Sequence, residues 1–216
     1  MQLLLIAAAI ASGLATIASD WHGQRRPLFY ITKPLTTLLI TALAWLALAS
    51  APGYRSWVIA ALGFCLAGDV ALMFSSRRAF LLGLSAFVLG HLLLIAAFVT
   101  DLPLAPLFVP HTALFGGLAF MALVLGYASW LLPRTGRLKP AVLVYLSVLS
   151  AMVLAALLRA GLSESHAATW AAAGALLFAL SDAVLAWRKF VAQPWWGQPL
   201  TLLTYYFAIG LIAWAH

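Results

Sequence analysis

Two aspartates stand alone inside apolar runs: Asp69 in Leu66-Ala67-Gly68-Asp69-Val70-Ala71-Leu72, and Asp182 in Ala179-Leu180-Ser181-Asp182-Ala183-Val184-Leu185. A carboxyl at bilayer depth costs about 2.5 to 3.5 kcal/mol on insertion scales, so an acid kept there is by default a candidate functional group. The chemistry such a pair offers is proton handling, toward a bound molecule or along a relay. The duller reading is an acid that only bonds a neighbouring helix through Ser, Tyr or Lys.

The surroundings of the pair follow from composition. Hydrophobic residues make up 65% of the 216 and charged residues only 8%, and the mean hydropathy is +1.06. Such a chain lacks the polar surface of a soluble globule and reads as a single integral membrane domain over residues 1–216. The net charge of +7 is carried by single or paired basic residues between apolar runs. It therefore marks topology rather than nucleic acid binding. The single cysteine, Cys65, excludes an intramolecular disulfide.

Apolar runs punctuated by Pro, Gly and charge give eight expected spans, near 2–19, 33–50, 56–74, 79–99, 109–132, 140–159, 166–187 and 198–215. The expected fold is an all-α polytopic bundle of eight transmembrane helices. Asp101, Pro103, Pro106 and Pro110 separate the fourth span from the fifth. The first span has no Lys or Arg before it and more spans follow, so it reads as a retained helix rather than a signal peptide.

Arg25, Arg26, Lys33, Arg77, Arg78, Arg134, Arg137, Lys139, Arg188 and Lys189 lie in or beside the odd-numbered loops, against Arg55 and Arg159 by the even ones. The positive-inside rule makes the odd loops cytoplasmic and puts both termini on the non-cytoplasmic side, with Asp101 and Glu164 outside. The abundance of Ala and Leu suits a bacterial inner membrane. Asp69 precedes Arg77 by eight residues and Asp182 precedes Arg188 by six. At 1.5 Å per helical residue both carboxyls should sit roughly 9 to 12 Å below the cytoplasmic charges.

Lys33-Pro34 is expected to open the second span as Lys139-Pro140 opens the sixth, Pro being suited to a first helical position. Each pair is followed one span later by an Asp beside a small residue. This suggests two four-helix halves in parallel repeat, which would turn the third and seventh spans toward each other. Other polar groups fall near the same level: His91 after Gly90, Ser181, Tyr205 and Tyr206, with Tyr127 and Tyr145 as further candidates. Lys33, Thr37 and Thr41 share one helical face, expected to look inward.

The ordered set Lys33-Pro34, Gly68-Asp69, Gly90-His91, Ser181-Asp182, Tyr205-Tyr206 and Leu211-Ile212, spread over eight spans, resembles the YhhN-type lysoplasmalogenase family. The likeness covers nearly the whole chain. It departs at Leu94 and Ile209, where members often carry Tyr and Gln. The resemblance implies hydrolysis of the vinyl ether of a lysoplasmalogen, a lysophospholipid of the membrane, to a fatty aldehyde and a glycerophospho-base. It implies Asp69 and Asp182 as catalytic acids, with Lys33, His91, Ser181, Tyr205 and Tyr206 around the substrate. Burial and a second carboxyl nearby both favour a neutral acid, so one Asp is expected to hold a proton that the pair shares. The other would stay ionised and stabilise an oxocarbenium ion, as paired carboxylates do around glycosidic bonds.

No Gly-x-Ser-x-Gly, His-Glu-x-x-His, Cys-x-x-Cys or phosphate-binding glycine loop occurs. No metal or other cofactor is expected, since one His and two Asp have no ligand spacing and His91 lacks an intramembrane partner for haem. His111 and His166 fall near outer ends. Lys33 reads equally as a snorkelling anchor or a phosphate ligand, while Arg77, Arg78, Arg188 and Lys189 read as anchors. The rival function is a proton-coupled transporter using the same acids as a relay. Oligomeric state and headgroup preference leave no readable mark on the sequence.

Overall fold

A computed structural model describes residues 2–20, 26–46, 52–100, 102, 109–163 and 165–215. Arg25, Asp101, Pro103, Pro106 and Glu164 lie outside the described residues. Eight α-helices follow in order: α1 (Gln2–Ser19), α2 (Pro27–Leu46), α3 (Pro52–Leu72), α4 (Arg77–Val99), α5 (His111–Leu131), α6 (Lys139–Leu162), α7 (His166–Phe190) and α8 (Gly197–Trp214). Seven of them, α1 to α7, are long and apolar enough to cross a membrane, and the protein is an integral membrane protein. The eighth falls short because Gln198, Thr201, Thr204, Tyr205 and Tyr206 crowd its first half. Most of these polar groups are buried against neighbouring helices.

Local signals explain the boundaries. Ser76 caps α4 by accepting from the Ala79 N–H at 3.0 Å, and Ser165 caps α7 by accepting from that of Ala167 at 3.1 Å. Pro140 sits in the first turn of α6, where a missing N–H costs nothing. The second helix corrects the expectation. It opens at Pro27, six residues before Lys33, so Lys33-Pro34 lies inside α2 rather than at its start. Pro27 meets the same first-turn rule, and Pro34 is tolerated because neighbouring helices and hydroxyls re-satisfy freed backbone groups in a membrane bundle. Asp69 corrects a second one: α3 ends at Leu72, three residues on, and the chain turns through Met73 and Phe74 with i−3 hydrogen bonds. The helical rise from Asp69 to the helix end is thus only about 4.5 Å, against about 12 Å from Asp182 to Phe190.

Packing closes α2, α3, α4, α6, α7 and α8 into a ring, each touching the next, with α8 returning to α2. Outside the ring α1 lies on α2 and α8, joined to α2 by the Thr36 hydroxyl donating to Ser12 Oγ at 2.8 Å. The fifth helix packs substantially only on α6 and its neighbouring turns. Gly68 allows the tightest approach within the ring, since a Cβ there would stand 2.6 Å from the Phe87 ring of α4. Tyr54, Phe98, Phe178, Leu94, Met152 and Ile212 fill the interior.

Candidate active site

Every helix of the ring sends a polar side chain inward: Lys33 and Thr37 from α2, Asp69 from α3, His91 from α4, Tyr145 from α6, Ser181 and Asp182 from α7, and Tyr205 from α8. All are buried, Asp69 to 2% exposure and Asp182 to 9%. They form two clusters, one about each acid.

Asp69 is saturated with donors. Lys33 Nζ lies 3.3 Å from Oδ1 and also donates to the Asp69 carbonyl at 3.3 Å. Thr37 and Tyr205 each donate to Oδ2 at 2.7 Å. Lys33 and Thr37 stand one turn apart on α2, so the polar face expected there does look inward. Thr41, the third member, donates back to the Thr37 carbonyl. Buried carboxylate, ammonium and two hydroxyls satisfy one another, the condition for holding charge at this depth.

Asp182 is less provided for. Tyr145 donates to Oδ2 at 2.6 Å. His91 Nε2 comes no closer than 4.0 Å to the same oxygen, and both ring nitrogens lie buried without a hydrogen-bond partner among the described residues. The imidazole is wedged edge-on against Phe178 and Tyr145, at 4.7 and 5.4 Å between centroids. Ser181 turns to α8 and donates to the Thr201 carbonyl at 3.0 Å. Among the described residues no direct hydrogen bond joins the two carboxyls. Each acid is taken up by its own tyrosine, and Phe87, Phe178 and Tyr205 pack edge-on between the two clusters.

Two cavities meet here. One, of about 410 Å³, is almost wholly apolar and runs between α4, α5, α6 and α7, past Phe80, Leu84, Phe120, Val124, Leu149 and Leu176, with Tyr145 and Asp182 in its wall. Its rim residues Leu123, Leu176 and Leu180 reach the outer surface. It is bridged between α5 and α7 by Tyr127, which donates to the Ala183 carbonyl at 2.6 Å, and by Trp130 against Trp187. The other, of about 80 Å³, is mixed and the more polar of the two, with Lys33, Asp69, Ser181, Asp182, Arg188, Gln198, Thr201 and Tyr205 among its lining. Asp182, Phe87, Leu72 and Leu185 line both. The cavities are flanked by the starts of α2, α4, α6 and α8 and the ends of α3, α5 and α7, so they lie in the half of the bundle where the basic loops gather.

The ring thus brings together Lys33, Asp69, His91, Ser181, Asp182 and Tyr205. Tyr206 points away: its ring packs beside Gly13 of α1, and its hydroxyl, near Thr16 and Thr36, donates to the Lys33 carbonyl at 3.5 Å. Gln198 was not anticipated, being one polar residue at the start of a helix, and Arg188 was assigned to anchoring by its loop position alone.

The sequence profile of the YhhN family matches residues 28–216. This chain belongs to the YhhN family. It is 32% identical over 182 residues to the lysoplasmalogenase TMEM86B of Homo sapiens, covering 84% of this chain and 72% of that protein. It is 36% identical over 153 residues to a lysoplasmalogenase of Mycobacterium bovis, covering 66% and 56%. With lysoplasmalogenase TMEM86B of Sus scrofa it shares 34% over 160 residues, 74% of this chain and 62% of the relative. The chain thus spans less than two thirds of the length of the mycobacterial and porcine relatives. No solved structure matches it. The matched stretch of the YhhN profile contains every member of both clusters.

Proposed function

We propose that this protein hydrolyses the vinyl ether of lysoplasmalogens, a reading supported by relatives named lysoplasmalogenases, and that Asp182 is the proton donor. The observation that carries the reading is the position of Asp182 in the wall shared by an almost wholly apolar cavity and a smaller, more polar one. A single-chain lipid with a polar head has to span such a boundary at the bond between its two parts. The larger cavity is of the size of small-molecule sites and takes the alkenyl chain, which slides in from the bilayer between α5 and α7. The smaller takes the glycerol side.

The division of labour follows from the surroundings. Asp69, held by an ammonium and two hydroxyls, is the ionised partner. Asp182 has no cation in hydrogen-bond contact and faces an apolar cavity, the setting that keeps a carboxyl neutral. Its proton passes to the β-carbon of the vinyl ether, leaving an oxocarbenium ion stabilised by the carboxylates. Water adds to the carbon beside the ether oxygen and returns a proton to Asp182. The hemiacetal then collapses, its hydroxyl losing a proton as the glycerol oxygen gains one, to give aldehyde and glycerophospho-base. The unpartnered imidazole of His91 beside Asp182 supports a role in receiving the water. We place the cavity mouths at the cytoplasmic leaflet, on the loop charges.

The clusters also support a parallel repeat of two four-helix halves. Asp69 on α3 is met by α2 of its own half and α8 of the other, while Asp182 on α7 is met by α6 and α4. The test is aldehyde release from lysoplasmenylethanolamine by the purified protein, with Asp182→Asn inactive and still folded. Substrate flux across sealed vesicles without aldehyde would instead favour the transporter.

A further inference from the structure

The hydroxyl groups that line the smaller cavity have already committed their protons. Ser181 donates to the Thr201 carbonyl at 3.0 Å, Thr201 to the Gly197 carbonyl at 2.8 Å and Tyr205 to Asp69 at 2.7 Å. What these oxygens can still offer a ligand is a lone pair. Gln198, half-buried in the first turn of α8, lines the same cavity and adds an acceptor of a different kind.

The side-chain nitrogen of Gln198 donates to Oδ2 of Asp20, an acid buried just past the end of α1. A carboxylate only accepts, so it decides which end of the amide faces it. The amide oxygen is left without a hydrogen-bond partner among the described residues. Its place in the site follows from the packing of α7 on α8. Ser181 neighbours Asp182 and bonds the Thr201 carbonyl, which sets Thr201 near the level of the proposed proton donor. Gln198 precedes Thr201 by three residues, about 4.5 Å of helical rise toward the basic loops. In a lysoplasmalogen the free hydroxyl sits on the glycerol carbon next to the one bearing the ether oxygen, whereas the headgroup amine lies beyond the phosphate. With the vinyl group at Asp182, one helical turn reaches the hydroxyl and not the amine.

From this geometry we infer that Gln198, oriented by Asp20, accepts the hydrogen bond of the free hydroxyl on the second glycerol carbon and so reads the lyso form of the lipid. A site built to bond a substrate hydroxyl rejects the analogue that lacks it, because its own polar group is then left unmet. An ester at that carbon removes the donor and adds an acyl chain, for which a cavity of about 80 Å³ has no room beside the glycerol. The inference rests on the proposed reading of the site. It adds a specificity-determining residue on α8 and makes Asp20 a positioning residue that acts through it.

The test uses the full chain in nanodiscs and saturated alkyl ether glycerophosphoethanolamines, which have no double bond to protonate, carrying hydroxyl, methoxy or hydrogen on the second glycerol carbon. Equilibrium binding should favour the hydroxyl over both others by roughly three- to tenfold, the worth of one neutral hydrogen bond, and Gln198→Met should erase that preference. Asp20→Ala should lower the same ratio, which a merely structural role would leave intact while weakening all three lipids together. Lys189→Gln, at an exposed position, should keep it. A wild type that binds the hydrogen form or the methoxy form as well as the hydroxyl overturns the assignment, and so does Gln198→Met weakening all three alike. Asp20→Ala with the full ratio overturns the orienting role. A loss in Gln198→Met that is confined to ethanolamine heads and absent from choline heads would give the acceptor to the ammonium and overturn the hydroxyl. Binding is read without turnover, so these outcomes are separate from whether aldehyde is formed.

Discussion

The surroundings of Asp69 and Asp182 are assembled from like parts and tuned to opposite ends. Each acid lies on a helix running toward the basic loops, and each accepts from a tyrosine of a neighbouring helix, at 2.7 and 2.6 Å. Around Asp69 the remaining neighbours are Lys33 and Thr37. Around Asp182 they are a histidine with no hydrogen-bond partner among the described residues and a cavity of aliphatic and aromatic walls. The tyrosine bond therefore does not distinguish an acid from its conjugate base; the cation does. In the proposed reading one site holds a charge and the other keeps a proton beside a greasy substrate.

The contrast is broken most sharply by substitution at the donor. Asp182→Asn should lower aldehyde release by at least about 100-fold, within the range of general acid catalysis, while thermal unfolding in detergent changes little, because only one hydrogen bond is altered. Asp69→Asn should instead lose both activity and stability, since Lys33 is left buried without its counter-charge at a cost of about 3 to 5 kcal/mol. Adding Lys33→Met to that variant should restore the unfolding temperature but not the rate. Equal stability losses at the two acids would contradict the comparison. His91→Gln should reduce kcat about tenfold, the worth of one hydrogen bond in the transition state, with KM nearly unchanged. Ser150→Leu, which narrows the apolar cavity from its α6 wall, should have the smallest effect. It should weaken long-chain substrates relative to short ones by about 0.8 kcal/mol per displaced methylene, read as a shift in the chain-length profile of kcat/KM.

Much of this contrast was legible in the sequence, for identifiable reasons. An acid in an apolar run is costly, so Asp69 and Asp182 stood out without any structure, and Lys33 and Thr37 followed from helical spacing on α2. The eight helices were legible from apolar length and punctuation. What failed was whatever depended on chain geometry between landmarks. Pro34 resembled a helix start although Pro27, seven residues earlier, offered the same signal beside two arginines. The depth of Asp69 was misjudged because α3 stops at Leu72 and a turn, not a helix, leads to Arg77. The partnership of Tyr205 with Asp69, and of Tyr145 with Asp182, joins helices distant in sequence and leaves no local periodicity. Arg188 is a sharper case: loop charge alone assigned it to anchoring, and only the structure shows that it lines the smaller cavity.

The central claim is that Asp182 delivers a proton to carbon, and hydrolysis in deuterated water reads that event directly. Lysoplasmenylethanolamine is turned over by the purified protein in D₂O, the aldehyde is reduced as it forms, and the product is analysed by mass spectrometry. The account predicts a single deuterium on the carbon next to the former carbonyl, at a yield that collapses in Asp182→Asn. Aldehyde without deuterium at that carbon, or labelled aldehyde formed as fast by Asp182→Asn as by the wild type, would contradict it.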